Sequence, residues 1–122
     1  MGQNTPVFDV EHLGATMGGD KALMQHFIMR FLDNARLYIE EIQTCVDGAG
    51  TPDGDPYGGT WSGGVHRLKG AARMVGAMRL AAACAQAELI EDDSNTRIDA
   101  VRSISGEYDA LRTAVGTWLK GL

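Results

Sequence analysis

Cysteine is scarce in this sequence, which contains only Cys45 and Cys84 among 122 residues. Neither lies in a Cys-x-x-Cys motif, and both occupy apolar positions of helical stripes. The sequence therefore excludes the dense disulfide framework that holds many small secreted domains together. We expect both thiols to be reduced and to pack as small apolar groups.

Long apolar runs are also missing. No segment approaches the ~18 consecutive apolar residues that indicate a membrane-spanning helix. The N-terminal residues, Met1 to Pro6, show neither the basic block nor the apolar block of a secretory signal. We therefore expect a cytoplasmic protein that does not enter a membrane.

Basic residues are also few. The chain contains 11 lysines and arginines and 16 aspartates and glutamates, which gives a net charge of -5. An acidic chain binds the phosphate backbone of nucleic acids poorly, so we expect no nucleic-acid partner. The exception is the segment 61–80, which contains no acidic residue. Its basic residues are Arg67, Lys69, Arg73 and Arg79. Such a local positive patch suits a small anion or an acidic protein surface.

Helical periodicity, by contrast, covers most of the chain. From Asp20 to Asp47 and again from residue 98 to 119, apolar residues recur in strides of three and four, which predicts two long amphipathic helices. The stripes are Met24, Ile28, Phe31, Ala35, Tyr38, Ile42 and Cys45, and Ile98, Val101, Ile104, Tyr108, Leu111, Val115 and Leu119. Asp20 is the predicted N-cap of the first long helix.

Two shorter helices are predicted between the long ones. Their apolar positions are Trp61, Val65, Leu68, Ala72 and Val75 in the first, and Ala77, Leu80, Cys84 and Ala87 in the second. Gly76 separates the two stripes and predicts a tight turn, because glycine readily leaves helical geometry. A brief helix at about residues 9–17 is predicted ahead of all four.

Residues 48–64 interrupt the helical pattern with seven glycines and two prolines, which predicts a mobile loop at about residues 48–60. The nearby carboxylates of Asp47, Asp53 and Asp55 match no EF-hand spacing, so we expect no metal site. No strand pattern is visible. The sequence thus predicts one all-α domain over residues 1–122, an up-down antiparallel four-helix bundle with a short accessory N-terminal helix.

The predicted helix that begins near Trp61 has polar residues opposite its apolar stripe. His66, Lys69, Gly70 and Arg73 follow one another at helical spacing and form one ridge that faces away from the core. Imidazole is nucleophilic and largely unprotonated near neutral pH, and a lysine one turn away can offset the charge of a phosphoryl group. Because a glycine inside a helix costs ~1 kcal/mol relative to alanine, we attribute Gly70 to the close approach of a partner.

These residues resemble the histidine phosphotransfer (HPt) domain family. The family pattern His-x-Leu-Lys-Gly stands here at residues 66–70, followed by Gly76 and by Arg79-Leu80-Ala81. The likeness extends over about residues 9–120. It implies that His66 accepts a phosphoryl group, that Lys69 assists that group, and that Gly70 provides clearance.

The resemblance also implies that a residue of the following helix orients the histidine ring, and the matching position here is Glu88. A carboxylate there would accept a hydrogen bond from Nδ1 and leave Nε2 free, although Glu88 also fits a solvated helix end. We expect Leu13 and Met17 to form an apolar rim near His66 for a partner. Arg73 fits either a docking contact with an acidic partner or a solvated position.

Other reactive or adaptable side chains predict no further site. His12 and His26 have no His, Cys or carboxylate partner at helical metal-ligand spacing, so we expect no metal in the bundle. The methionines are expected mostly in the core or at its edge. These are Met17, Met24, Met29, Met74 and Met78.

The resemblance implies a carrier that moves a phosphoryl group on His66 between receiver-domain aspartates of a multistep two-component phosphorelay. Its partners would be response-regulator receiver domains, including that of a hybrid histidine kinase, and it would act as a monomer without a cofactor. The chain has no P-loop motif, so we expect no ATP-dependent phosphorylation of itself. Two alternatives stay open: a helical adaptor that binds receivers without using His66, and a catalyst that speeds hydrolysis of receiver phosphate.

Overall fold

The computed structural model describes residues 5–46, 61–90 and 94–122. These ranges contain five α-helices and no strand, which confirms the predicted all-α class. The helices are α1 (Val10–Thr16), α2 (Lys21–Val46), α3 (Trp61–Met74), α4 (Met78–Glu88) and α5 (Ser94–Lys120). The loop predicted at about residues 48–60 lies outside the described residues. None of the helices in these ranges combines the length and apolar character needed to cross a bilayer.

Aspartate side chains determine where the first two helices begin. Asp9 accepts a hydrogen bond from the backbone N–H of His12 at 3.1 Å, and Asp20 accepts one from Leu23 at 3.1 Å. Each carboxylate satisfies one of the N–H groups that the first turn of a helix leaves without a partner. The predicted N-cap of α2 is therefore confirmed.

The predicted apolar stripes form a single core. Every position of the α3 and α4 stripes is buried, as are five positions on α2 and five on α5. The exceptions on α5 are Leu119, which is partly buried, and Ile98, which remains 38% exposed. With 3.6 residues per turn, strides of three drift around the helix, so Ile98 lies well to one side of the stripe that Val101 to Val115 define.

The four longer helices pack around this core in a closed order. α3 contacts α2 and α4, and α5 contacts the same two helices. The hydroxyl of Tyr108 donates to the carbonyl of Leu32 at 2.8 Å, and the indole Nε1 of Trp61 donates to the carbonyl of Ala87 at 3.0 Å. Because both bonds satisfy polar atoms of buried aromatic residues, they fix α5 against α2 and α3 against α4.

The turn between α3 and α4 depends on Gly76. Its φ of 83° lies in the left-handed region that side chains rarely adopt. A Cβ at this position would also collide with the backbone carbonyl of Asp9, whose N–H donates to the Gly76 carbonyl at 2.8 Å. The turn therefore holds the start of α1 against the end of α3.

The short helix α1 packs against α2 and α3. Leu13 on α1 is fully buried, whereas Met17, which follows the helix, is half-buried. The prediction that Leu13 belongs to an exposed rim is therefore wrong, because its side chain completes the core and offers no surface to a partner.

Candidate functional site

His66 lies in the middle of α3, and 69% of its side chain is exposed. Val65 and Leu68 on the same helix are fully buried, so they set the rotation of α3 about its axis. This rotation directs position 66 away from the core. The predicted exposure of the ring is confirmed, and another macromolecule can reach it.

Glu88, the last residue of α4, contacts the His66 ring. Its Oε2 lies 3.1 Å from Nδ1 of His66, while its Oε1 contacts the ammonium group of Lys69. The hydrogen bond from Lys69, followed by the one from His66, lowers the pKa of Glu88 despite some desolvation. The carboxylate is therefore ionised near neutral pH and can only accept hydrogen bonds. Nδ1 of His66 must then donate, which leaves Nε2 as the nitrogen available for chemistry.

The position of Lys69 differs from the predicted one. The helical spacing places it on an exposed ridge, but only 16% of its side chain is exposed, and its ammonium binds Glu88. The ion pair with Glu88, the last residue of α4, holds the lysine side chain toward that helix. His66, Lys69 and Glu88 thus form one connected group in which a single carboxylate holds two donors.

Gly70 leaves the surface beside His66 open. A Cβ built at this position would find no atom within 4 Å, apart from its own helix backbone and neighbours. Packing inside the chain therefore does not require a glycine here. An interior glycine destabilises the helix. Its presence at position 70 therefore favours the interpretation that a partner protein approaches this surface closely.

A profile of the Hpt domain family matches residues 26–114, a range that includes the whole group from His66 to Glu88. The chain belongs to the HPt domain family. Proteins of this family carry phosphoryl groups on histidine in phosphorelays and interact with receiver domains. Comparisons with curated proteins and with solved structures gave no significant match.

The basic residues of α3 and α4 in this HPt domain divide into paired and unpaired side chains. Arg67 lies 3.8 Å from Glu41, and Arg79 lies 3.1 Å from Glu107, so both serve as surface ion pairs. Arg73 is exposed and forms no ion pair with any residue that the structure describes. Of the two basic residues on the predicted ridge, Lys69 is paired with Glu88. The guanidinium group of Arg73 is therefore the one that can form an ion pair with a partner protein.

The HPt domain also has a groove between α2 and α3, which sequence reasoning missed. The α2–α3 groove has a volume of about 340 Å³ and is lined by Met17, His26, Phe27, Arg30, Phe31, Asn34, Ala71, Met74 and Val75. Met74 is 57% exposed and Met29, on another face of α2, is 46% exposed. The methionines were expected mostly in the core or at its edge, and Met29 and Met74 are the two that are exposed instead. Phe27 and Met74 both fall outside the apolar stripes, which is the signal that could have indicated a second apolar surface.

The remaining reactive groups in the described part of the HPt domain indicate no additional chemistry. Burial raises the pKa of the Cys84 thiol to about 12, so this cysteine stays protonated and unreactive, as a core residue should. The side chain of Cys45 lies outside the described part of the chain. No group of three or more His, Cys, Asp or Glu side chains in the described ranges could hold a metal ion.

Proposed function

We propose that this HPt domain carries a phosphoryl group on Nε2 of His66 between the aspartates of receiver domains in a multistep two-component phosphorelay. The supporting observation is an exposed imidazole whose Nδ1 is bound to the ionised carboxylate of Glu88. This bond selects the ring nitrogen that attacks and keeps the ring in one orientation.

The proposed step is a displacement at phosphorus. The lone pair of Nε2 forms the P–N bond while the P–O bond to the receiver aspartate breaks, and the bonding electrons leave with that aspartate's carboxylate. The ring gains positive charge as the P–N bond forms, and the carboxylate of Glu88 offsets it through Nδ1–H. Transfer to a second receiver is the reverse displacement. The receiver's own Mg²⁺ would stabilise the charge on the phosphoryl oxygens.

We also propose the finer arrangement that the sequence predicts. The four longer helices would run up and down in antiparallel order with α1 as the accessory helix, because a turn of only a few residues joins α3 to α4. The domain would span residues 1–122 and act as a cytoplasmic monomer without a cofactor. One of its receivers would belong to a hybrid histidine kinase.

Transfer of a radioactive label tests this function. Receiver domains of the cell, labelled on aspartate with ³²P in the presence of Mg²⁺, are mixed one by one with the chain. We expect at least one receiver to pass on label that is lost in acid, survives base, and moves to a second receiver. Binding without label on the chain would instead indicate the adaptor. Release of inorganic phosphate without a histidine intermediate would indicate the hydrolysis catalyst.

Gly70→Gln is expected to slow transfer at least about tenfold while stabilising the fold by up to ~1 kcal/mol. The new side chain has open space around it and replaces a poor helix former, but it stands one turn from His66, where the receiver must approach. Transfer rate and the free energy of unfolding are measured together. Gly106→Gln is the matched control, since a Cβ there also meets no atom within 4 Å. Equal transfer rates in the two variants would contradict the steric role of Gly70.

Lys69→Ala is expected to slow transfer or to shorten the lifetime of the phosphohistidine, in either case by about tenfold. The substitution removes the ammonium group that pairs with Glu88 beside the ring, and a charge-assisted hydrogen bond contributes about 1.5–3 kcal/mol. Rate and lifetime are followed by loss of label, and helicity by circular dichroism. Arg79→Ala is the control, because it removes an ion pair with Glu107 that does not involve His66. Unchanged rate and lifetime in Lys69→Ala would exclude the lysine from the site.

A further inference from the structure

We propose that Trp61 is a positioning residue for phosphoryl transfer, whose indole N–H fixes the end of α4 and with it the carboxylate of Glu88 beside the His66 ring. This inference rests on the proposed function and deepens it. Trp61 acts on the imidazole through the backbone of α4 and the side chain of Glu88.

The end of α4 is held from outside the helix. Glu88 is its last residue, and the last turn contains no basic side chain. The last four carbonyls of an α-helix have no N–H partner inside it, so such an end frays unless other groups bind it. The carbonyl of Ala87 accepts a hydrogen bond from the indole Nε1 of Trp61 at 3.0 Å and another from the N–H of Ile90 at 3.2 Å. Because Trp61 belongs to α3, its bond ties the end of α4 to the helix that carries His66.

This bond acts directly on the residue that contacts the imidazole. The Ala87 carbonyl belongs to the peptide group that joins Ala87 to Glu88, and this group is planar. A fixed carbonyl therefore also fixes the Cα of Glu88. The distance from Oε2 of Glu88 to Nδ1 of His66 is 3.1 Å, and a side-chain contact at ~3.6 Å is no longer a hydrogen bond. A shift of the α4 end by only about 0.5 Å is thus enough to break the contact that orients the ring.

Trp61 also secures the start of α3, of which it is the first residue. Gly63 and Gly64 follow it, and glycine is the weakest helix former apart from proline. The first turn contains no acidic residue to favour a helix N-terminus, so it depends on tertiary contacts. The buried ring of Trp61 supplies such a contact. His66 follows by five residues, roughly 8 Å along the helix axis, so the same side chain supports both helices that form the site.

The bond between Trp61 and Ala87 is sheltered from water. Trp61 is 3% exposed and Ala87 is fully buried. The guanidinium group of Arg97 on α5 lies over the indole, 5.1 Å from the ring centroid, a distance at which a cation is attracted to the ring face. An indole N–H that lost its acceptor here would be a buried unsatisfied group, which is unfavourable. The ring therefore keeps one position, in contact with α4 on one side and α5 on the other.

Trp61→Phe tests this role, because it keeps an aromatic ring in the core and removes the indole N–H. The probe is a purified receiver, phosphorylated on its aspartate by ³²P-labelled acetyl phosphate with Mg²⁺. The maximal rate of single-turnover transfer to the variant is expected to fall about tenfold, since a misplacement of about 1 Å near a reacting group costs up to ~100-fold. The receiver concentration for half-maximal rate is expected to stay within about twofold, because the buried Trp61 offers no surface to a receiver.

The tautomer of the His66 ring gives a readout that needs no receiver. Nitrogen-15 NMR distinguishes protonated from unprotonated ring nitrogens. At a pH where the ring is neutral, wild type is expected to hold the proton on Nδ1, whereas Trp61→Phe is expected to populate both tautomers. In a Glu88→Ala background, Trp61→Phe is expected to slow transfer by no more than about twofold further, because residues that act through one another are not additive.

Tyr108→Phe is the matched control. It also removes the donor of a buried hydrogen bond between helices, from Tyr108 to the carbonyl of Leu32, but this bond joins α5 to α2 and not α3 to α4. Thermal unfolding is expected to show a loss of stability in both variants, while only Trp61→Phe changes the transfer rate and the tautomer. Arg97→Ala is a milder second variant that uncovers the indole, and it is expected to slow the maximal rate about twofold.

Transfer rates and tautomer ratios in Trp61→Phe and Arg97→Ala that equal those of Tyr108→Phe would overturn the positioning role while the proposed function stands. A slower Trp61→Phe that keeps the wild-type tautomer ratio would overturn it as well, because the loss would then not pass through Glu88. A wild-type chain that accepts no label from any receiver would overturn the proposed function and, with it, the role of Trp61 in transfer.

Discussion

His66→Gln is expected to abolish phosphoryl transfer and to leave the free energy of unfolding within about 0.5 kcal/mol of wild type. The side chain of His66 is 69% exposed, so its replacement leaves no cavity. Glutamine is a slightly better helix former than histidine. Its amide N–H groups can also still donate to Glu88, but an amide nitrogen has no lone pair that attacks phosphorus. The substitution is therefore expected to remove phosphoryl transfer without changing the fold.

The measurement is ³²P label on the chain after incubation with a phosphorylated receiver, together with receiver binding by calorimetry. His12→Gln is the control, since it makes the same substitution on α1. We expect full labelling of the control, no label on His66→Gln, and receiver affinities within a few-fold of each other. Acid-labile label that persists on His66→Gln would place the phosphoryl group on another residue and would contradict the proposed function.

Gly76→Ala is expected to destabilise the domain by about 3 kcal/mol or more. A side chain at a φ of 83° costs ~1–2 kcal/mol by itself. The added Cβ also collides with the carbonyl of Asp9, so the hydrogen bond between the two residues must lengthen or break. Since α1 contributes the buried Leu13 to the core, a shift of its start loosens packing beyond the turn.

Urea unfolding followed by circular dichroism measures this effect, and the melting temperature is expected to fall by roughly 10 °C for a domain of this size. Gly70→Ala is the comparison, because it lies within α3 and a Cβ there meets open space. That substitution is expected to stabilise the chain by up to ~1 kcal/mol. Equal stabilities of Gly76→Ala and wild type would show that the backbone at this turn relaxes without cost.

Sequence reasoning predicted the helices and most of the core because both depend on local periodicity. The stripes on α3 and α4 are buried at every position, and the N-cap at Asp20 is present. The outward position of His66 followed from the same geometry, since burial of Val65 and Leu68 leaves residue 66 on the opposite side of the helix. The motif around it, compared with the HPt family, indicated which residues to examine.

Spacing along one helix did not correctly predict the exposure of residues whose surroundings are formed by another helix. Lys69 was expected on the exposed ridge, but Glu88 of α4 draws it away. Leu13 was expected at the surface, but α2 and α3 enclose it. Met74 was expected near the core, but it borders an open groove instead.

The amino-acid pattern alone thus determined that the chain is helical and which face of each helix is buried, because apolar residues recur with the helical period. The same period determined that His66 faces outward, since it lies opposite the buried face of α3. The family resemblance offered Glu88 either as a partner of His66 or as a solvated helix end, and only the tertiary structure decided that Glu88 binds both His66 and Lys69. The tertiary structure also decided that Phe27 and Met74 meet in one groove. The physical reason is distance along the chain: 22 residues separate His66 from Glu88, and packing of whole helices, not local propensity, brings such residues into contact.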